Sequence, residues 1–265
     1  MTGSAGRIYA MVLRHVYLYR GSWPRLAELT YWPLMQMLTW GLLSQFLLTN
    51  SSLVAQAFGV FIAAVLLWDV LFRGNVGVAV SFLEEMWARN LGQLFASPLR
   101  PWEWAVALVT VALLRVVVGV VPAAVLCIPL YHYSIFDMGL PLLGFFANLM
   151  AFGAAAGVAV SAIVLRYGMG AENLAWVAIF AVAPLTGVYY PVATLPGWIQ
   201  PFAWALPSTY VFEGMRDVLL NNVFRTDFFV YAVLLNVVYS AAAVMVFLHI
   251  FRIARVRGLL LQMGE

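Results

Sequence analysis

The chain has 265 residues, 65% of them hydrophobic and only 9% charged, with a mean hydropathy of +0.94 and a pI near 9.1. Soluble domains carry roughly 25% charged residues, so this composition excludes a soluble enzyme or nucleic-acid binder and requires an integral membrane protein. At ~20 apolar residues per crossing, residues 1–265 make one all-α bundle of about six spans and leave no room for a sizeable second domain.

Residues 1–28 read as an interfacial segment. Arg7, Arg14, His15 and Arg20 are spread among apolar residues without a compact signal-peptide core, and Gly21 and Pro24 break the pattern. A surface-lying anchor is the expectation, with a gating role as the alternative. A first span over about 31–48 ends at a polar turn, 49–52. A second over about 53–80 is interrupted by Asp69 and Arg73.

Residues 82–98 are a polar, half-apolar island in an otherwise oily sequence. As a helix, Leu83, Trp87, Leu91, Leu94 and Phe95 recur along one face, with Glu84, Glu85, Arg89 and Gln93 on the other. Glu85 precedes Arg89 by four residues, the orientation in which an acidic–basic pair supports a helix. Ser97-Pro98 stops it, and Pro101 suits the first turn of the next span. A short amphipathic helix between two spans lies flat at the membrane surface, where it can take a push from outside the bilayer.

A third span over about 104–130 carries Arg115 in its interior and Pro122 and Pro129 near its far end. A fourth, about 140–165, contains the small-residue seam GAAAGVAVSA, which permits close helix approach. Its glycines, with Gly139 and Gly144, read as packing rather than a phosphate cradle. A fifth span covers about 174–190. Prolines 184, 191, 196, 201 and 207 then punctuate an aromatic stretch too densely for one straight helix. Two short helices that dip into the outer leaflet and return, over 191–222, are the economical solution. Ser208 reads as an N-cap for a helix with Glu213, Arg216 and Asp217 on one side, Glu213 and Arg216 pairing. The aromatics form either an interfacial belt or a lid over an exit. The last span runs over about 228–251 and ends in Arg252, Arg255 and Arg257.

With the N-terminus inside, ten arginines (7, 14, 20, 25, 89, 100, 166, 252, 255 and 257) are cytoplasmic, and only Arg216 and Arg225 are clearly external. That asymmetry satisfies the positive-inside rule and returns the C-terminus to the cytoplasm. Asp69, Arg73 and Arg115 are intramembrane charges, costly unless paired or wet. Asp69 is spaced to pair with Arg73 on its own helix, or with Arg115 on a neighbouring span; a place on a substrate path is the alternative. All fourteen basic residues are arginine. Without lysine the chain cannot hold a Gly-x-x-x-x-Gly-Lys-Ser/Thr phosphate loop, so a nucleotide that drives it sits on another polypeptide. Cys127 alone rules out an intrachain disulfide. The three histidines show no metal-ligand spacing, and no Ser-His-Asp signature is present.

The run Glu84-Glu85, Asn90-Leu91-Gly92-Gln93-Leu94 and Ser97-Pro98-Leu99-Arg100-Pro101 resembles the cytoplasmic loop of type-2 ABC permeases, the membrane subunits of ATP-driven drug and polysaccharide exporters. Tyr190-Pro191, Leu195-Pro196-Gly197-Trp198, Pro207 and Glu213-Gly214-Met215-Arg216 resemble that family's re-entrant external hairpin. The likeness departs at Arg89-Asn90, where the family often has Gly-Thr. It implies a coupling helix over 82–98 whose Glu84, Glu85, Trp87, Arg89, Leu91, Leu94, Ser97 and Pro98 meet an ATPase subunit. It further implies an exit formed by Tyr190, Pro191, Pro196, Trp198, Pro207, Glu213 and Arg216. A homodimer in a bacterial inner membrane follows from the same likeness, with ATP and Mg²⁺ on the partner ATPase and an amphipathic, lipid-linked or drug-like cargo. An integral membrane enzyme acting on lipid and a passive channel are the competing classes; the enzyme would need a His, Asp or Glu cluster at one membrane face, and none is seen.

Overall fold

A computed structural model describes residues 3–50 and 58–257. Within them the regular structure is all helical: α1 (Ser4–Arg20), α2 (Trp23–Asn50), α3 (Phe58–Trp87), α4 (Leu91–Ala96), α5 (Pro101–Tyr131), α6 (Leu140–Tyr167), α7 (Leu174–Val182), α8 (Gln200–Trp204), α9 (Pro207–Asn221) and α10 (Thr226–Val256). Among the described residues four helices are long and apolar enough to cross a membrane: Gly59–Trp87, Pro101–Tyr131, Leu140–Tyr167 and Thr226–Val256. The junction expected between the first two spans falls largely on 51–57, outside the described residues.

Buried α3 is the centre of the bundle. It packs most extensively against α6 on one side and α5 on the other, while α10 closes on α6 and α2 lies along α5 and α3. The α3–α6 crossing is built on glycine, as the small-residue seam predicts. A Cβ at Gly153 would sit 2.5 Å from the Leu71 carbonyl oxygen, and one at Gly157 would sit 2.6 Å from that of Asn75. Backbone meets backbone there, and only small residues permit it.

The four long helices have 28–31 residues, about 42–46 Å at ~1.5 Å per residue, against a hydrocarbon core of ~30 Å. Each therefore projects well beyond the hydrocarbon. One end of the bundle is charged, for the C-terminal ends of α3, α6 and α10 and the start of α5 carry Arg89, Arg166, Arg252, Arg255 and Arg100.

The N-terminal helix departs from the expectation of an anchor lying across this end. Arg7 meets Glu103 and the Tyr19 ring meets Arg115, twelve residues further along on both helices. α1 is thus packed lengthwise on the N-terminal half of α5 and runs in its direction. The 82–98 island is not one helix either. α3 continues through Trp87, so the first third of the island is the end of a span. The chain then breaks at Arg89, whose φ of 51° lies in the left-handed region that costs a residue with a Cβ about 1 kcal/mol. α4 follows as a separate six-residue helix.

The expected fifth span is helical only to Val182. Pro184 supplies no N–H and disfavours helix at the residue before it, and Gly187 takes a φ of 62°. α8 and α9 are the two short helices expected of the hairpin. Pro207, not Ser208, opens α9: it occupies the first turn, where its missing N–H is harmless, and the Ser208 hydroxyl is buried without a partner.

Candidate functional site

Three carboxylates at the charged end are held by α1. Glu103, in the first turn of α5, accepts the Arg100 backbone N–H at 3.0 Å and two bonds from the Arg7 guanidinium, Nε at 2.8 Å and Nη2 at 2.5 Å. Such forked, charge-assisted contacts are the stronger class of hydrogen bond. Glu85, on the last turn of α3, is only 2% exposed. It accepts from Arg14 Nη1 at 2.5 Å and Asn90 Nδ2 at 2.7 Å, with His15 Nε2 at 3.8 Å. Glu84 accepts from Arg115 Nη2 at 3.1 Å and the Tyr19 hydroxyl at 3.3 Å, and the Arg115 guanidinium lies 4.6 Å from the Tyr19 ring centre. Burial, outweighing nearby charges, pushes the Tyr19 phenol up to about 12, so it remains a donor at any working pH.

Two expectations are corrected here. Glu84 and Glu85 do not form the solvated face of a surface helix: Glu85 is buried and Glu84 half-buried, both turned toward α1 and α5. Glu85 pairs with Arg14, not Arg89, because Arg89 has already left the helix. Likewise Arg115 pairs with Glu84, not Asp69. Helical side chains lean toward their N-terminus, which aims Arg115 at the charged end. Asp69 instead accepts from Arg73 Nε at 2.7 Å on its own helix. That pair is lodged at the α3–α5–α2 crossing, where a Cβ at Gly119 would lie 3.3 Å from Arg73 Cζ and 2.7 Å from the Leu29 carbonyl oxygen.

The eight residues expected at an ATPase contact therefore separate. Leu91 and Leu94 join the core, and Glu84 and Glu85 join the latch to α1. Trp87, Arg89, Ser97 and Pro98 stand exposed at the tip, together with Gln93. Trp87, expected to share an apolar face with Leu91, is 49% exposed, and its indole N–H donates to Glu172 Oε2 at 3.3 Å in the link after α6. The side chain of Phe95, expected on the same face, lies outside the described residues.

At the opposite end, α9 fastens the unwound segment after α7. Arg216 is buried and donates to the carbonyls of Gly187, Val188 at 3.1 Å and Tyr190 at 2.9 Å. Glu213 accepts the Val192 backbone N–H at 2.6 Å and pairs with Arg216 at 3.3 Å, as its spacing predicts. Tyr190 is half-buried and donates to the Pro184 carbonyl at 2.6 Å. Pro207 is buried, Pro191 and Pro196 are exposed, and Trp198 is 74% exposed. Sequence reasoning missed Glu103 and its Arg7 partner, although a Glu two residues after an N-terminal proline is a capping signal. It also missed the Trp40–Tyr189 stack, with centroids 4.7 Å apart, and the Asn75 bond to the Ala175 carbonyl at 2.8 Å.

Among the described residues no three His, Cys, Asp or Glu side chains gather as a metal site. Long apolar helices, glycine crossings and charges confined to the ends and a few tight pairs define a multi-pass membrane protein built to span and move. Residues 8–220 match the family model described as ABC-2 type transporter, and the chain belongs to that family as the membrane component of an ABC transporter. No curated relative matches it.

Proposed function

We propose that the chain is the permease of an ATP-driven exporter, working as a homodimer with a separate ATPase subunit that binds ATP and Mg²⁺ and seats on the tip formed by Trp87, Arg89, Ser97 and Pro98. The termini and this tip face the cytoplasm of a bacterial inner membrane, and the hairpin 191–222 faces outward, following the arginine distribution. α2 supplies a further crossing, long enough at 28 residues. α7 and the Arg216-held segment supply the sixth, since non-helical backbone at membrane depth survives only against protein or water. An interior whose charges, among the described residues, are held in tight pairs such as Asp69–Arg73 suits an amphipathic or lipid-linked cargo.

The observation that carries this reading is the division of labour at the charged end. The carboxylates that brace α3 and α5 are buried, while an exposed tip of mixed aromatic, basic and Ser-Pro character hangs between those two helices. A push on the tip reaches both spans directly. In the test, the chain is co-expressed with its ATPase and purified. Trp87→Ala with Arg89→Glu is expected to abolish ATPase co-purification and stimulated hydrolysis while the permease melts as wild type. Unchanged hydrolysis and co-purification would overturn the assignment of the tip.

A further inference from the structure

The four arginines of the N-terminal region fall into two classes. Arg7 and Arg14 are neutralised within the chain by Glu103 and Glu85. Arg20 and Arg25 flank the Gly21–Ser22 elbow between α1 and α2, both exposed, and among the described residues no carboxylate lies within ion-pair distance of either. Glu28, one turn beyond Arg25, is exposed and makes no ion pair with it. Between the two arginines Trp23 is 78% exposed, and Tyr17 and Leu18 are exposed on the turn before. Two uncompensated cations around an indole left in the open are an unfavourable surface in water and a favourable one at a membrane interface.

The elbow's place along α5 follows from its neighbours. On one side of it Tyr19 touches the Arg115 guanidinium, which leans toward the charged end; on the other the Leu29 carbonyl abuts Gly119. The elbow thus passes α5 near the middle of its length, from where arginine side chains are long enough to reach toward the headgroups on the charged side.

We propose that the α1–α2 elbow is a binding site for the headgroup of an anionic phospholipid, with the Arg20 and Arg25 guanidinium forks taking its phosphate and Trp23 seated beside it at the headgroup level. The bound lipid fixes the elbow and hence the register of α1 against Glu84, Glu85 and Glu103. The proposal rests on the chain being a membrane protein and is independent of the ATPase contact assigned to the tip.

The test uses the full chain, delipidated in detergent and titrated with phosphatidylglycerol or phosphatidylcholine of matched acyl length, with binding read by native mass spectrometry. Wild type is expected to prefer phosphatidylglycerol. Each basic residue at an anionic surface contributes about fivefold, so Arg20→Gln with Arg25→Gln should weaken phosphatidylglycerol about 25-fold and leave phosphatidylcholine unchanged. Arg252→Gln with Arg257→Gln, removing two exposed arginines of α10's end, should keep wild-type binding. Should the double variant melt early, Arg25→Gln alone carries the test at about fivefold. Equal affinity for the two lipids, an unaltered affinity in the elbow variant, an equal loss in the α10 variant, or displacement by stoichiometric inorganic phosphate would overturn the site.

Discussion

Reversing the charge at Glu85 separates a structural brace from a surface contact. The carboxylate is 2% exposed and serves Arg14 at 2.5 Å, Asn90 at 2.7 Å and, at 3.8 Å, His15. Glu85→Lys sets a cation against Arg14 and strands the Asn90 amide. Removing one partner of a buried pair costs ~3–5 kcal/mol. Glu85→Gln keeps an acceptor for Asn90, and Arg14, whose side chain is 37% exposed, can turn to water. Its cost falls to ~1.5–3 kcal/mol, the value of one charge-assisted bond. At ~2–4 °C per kcal/mol for a domain of this size, the lysine variant melts about 6–20 °C lower and the glutamine variant is shifted less. The chain supplies its own reporter: Cys127 is its single cysteine and is buried, so a thiol-reactive dye in a temperature ramp reads unfolding directly. Arg14→Gln should lose more than Glu85→Gln, because it strands the buried Glu85 carboxylate, and the double variant less than the sum, by about 1 kcal/mol. A Glu85→Lys protein that melts with wild type would refute the reasoning and return this residue to the solvated face.

The glycine crossing gives a second test. Gly153→Ala forces a methyl to 2.5 Å from a carbonyl oxygen; at ~1–3 kcal/mol for overpacking its melt should drop several degrees, whereas Gly170→Ala, with nothing within 4 Å, should not move it. Arg216→Gln leaves backbone carbonyls after α7 unserved, and hydrogen exchange should rise over 187–192 at least tenfold; Arg216→Lys should rescue little, having a point charge in place of a fork. Arg89→Gly should raise the melting midpoint, relieving ~1 kcal/mol at a positive φ, even as it removes a charge from the tip. Asp69→Asn should lower folded yield, because it leaves Arg73 unpaired at the α3–α5 crossing; Asp69→Asn with Arg73→Gln should recover most of it.

What the sequence disclosed depended on whether the signal was local. Span positions for α3, α5, α6 and α10 followed from apolar runs, and a close approach at the Gly and Ala seam of α6 was legible, though not that α3 makes it. Asp69–Arg73 and Glu213–Arg216 were legible because each pair sits one turn apart on one helix. The latch was not legible, for its partners are separated by dozens of residues: Arg7 by 96 from Glu103 and Arg14 by 71 from Glu85. The periodicity over 82–98 also misled. A regular three-four spacing assumes one continuous helix, and a single positive φ at Arg89 rotates everything after it, which is how Trp87 came out to solvent while Leu91 went in. A glycine there would have announced the break; an arginine conceals it.

If an ATPase bears on the tip as proposed, the braced end gives its force a route toward the middle of the membrane. A projecting helix pair joined only by a short loop would bend at the tip and dissipate a push within a turn or two. Here α3 and α5 are splinted by α1 across about twelve residues, through Glu84, Glu85 and Glu103, so their projecting ends move as one body. Beyond the splint, α3 is tied to α7 by Asn75 and packed backbone to backbone on α6 at Gly153 and Gly157. Under the proposed ATPase contact, motion delivered to Trp87 is passed along these contacts toward α7 and the unwound segment held by Arg216. On that path Arg14→Gln is the informative lesion. It leaves the tip intact for a partner yet loosens the splint, and should lower cargo-stimulated ATP hydrolysis while leaving ATPase co-purification unchanged. Loss of both together would mean that α1 serves only to shape the tip.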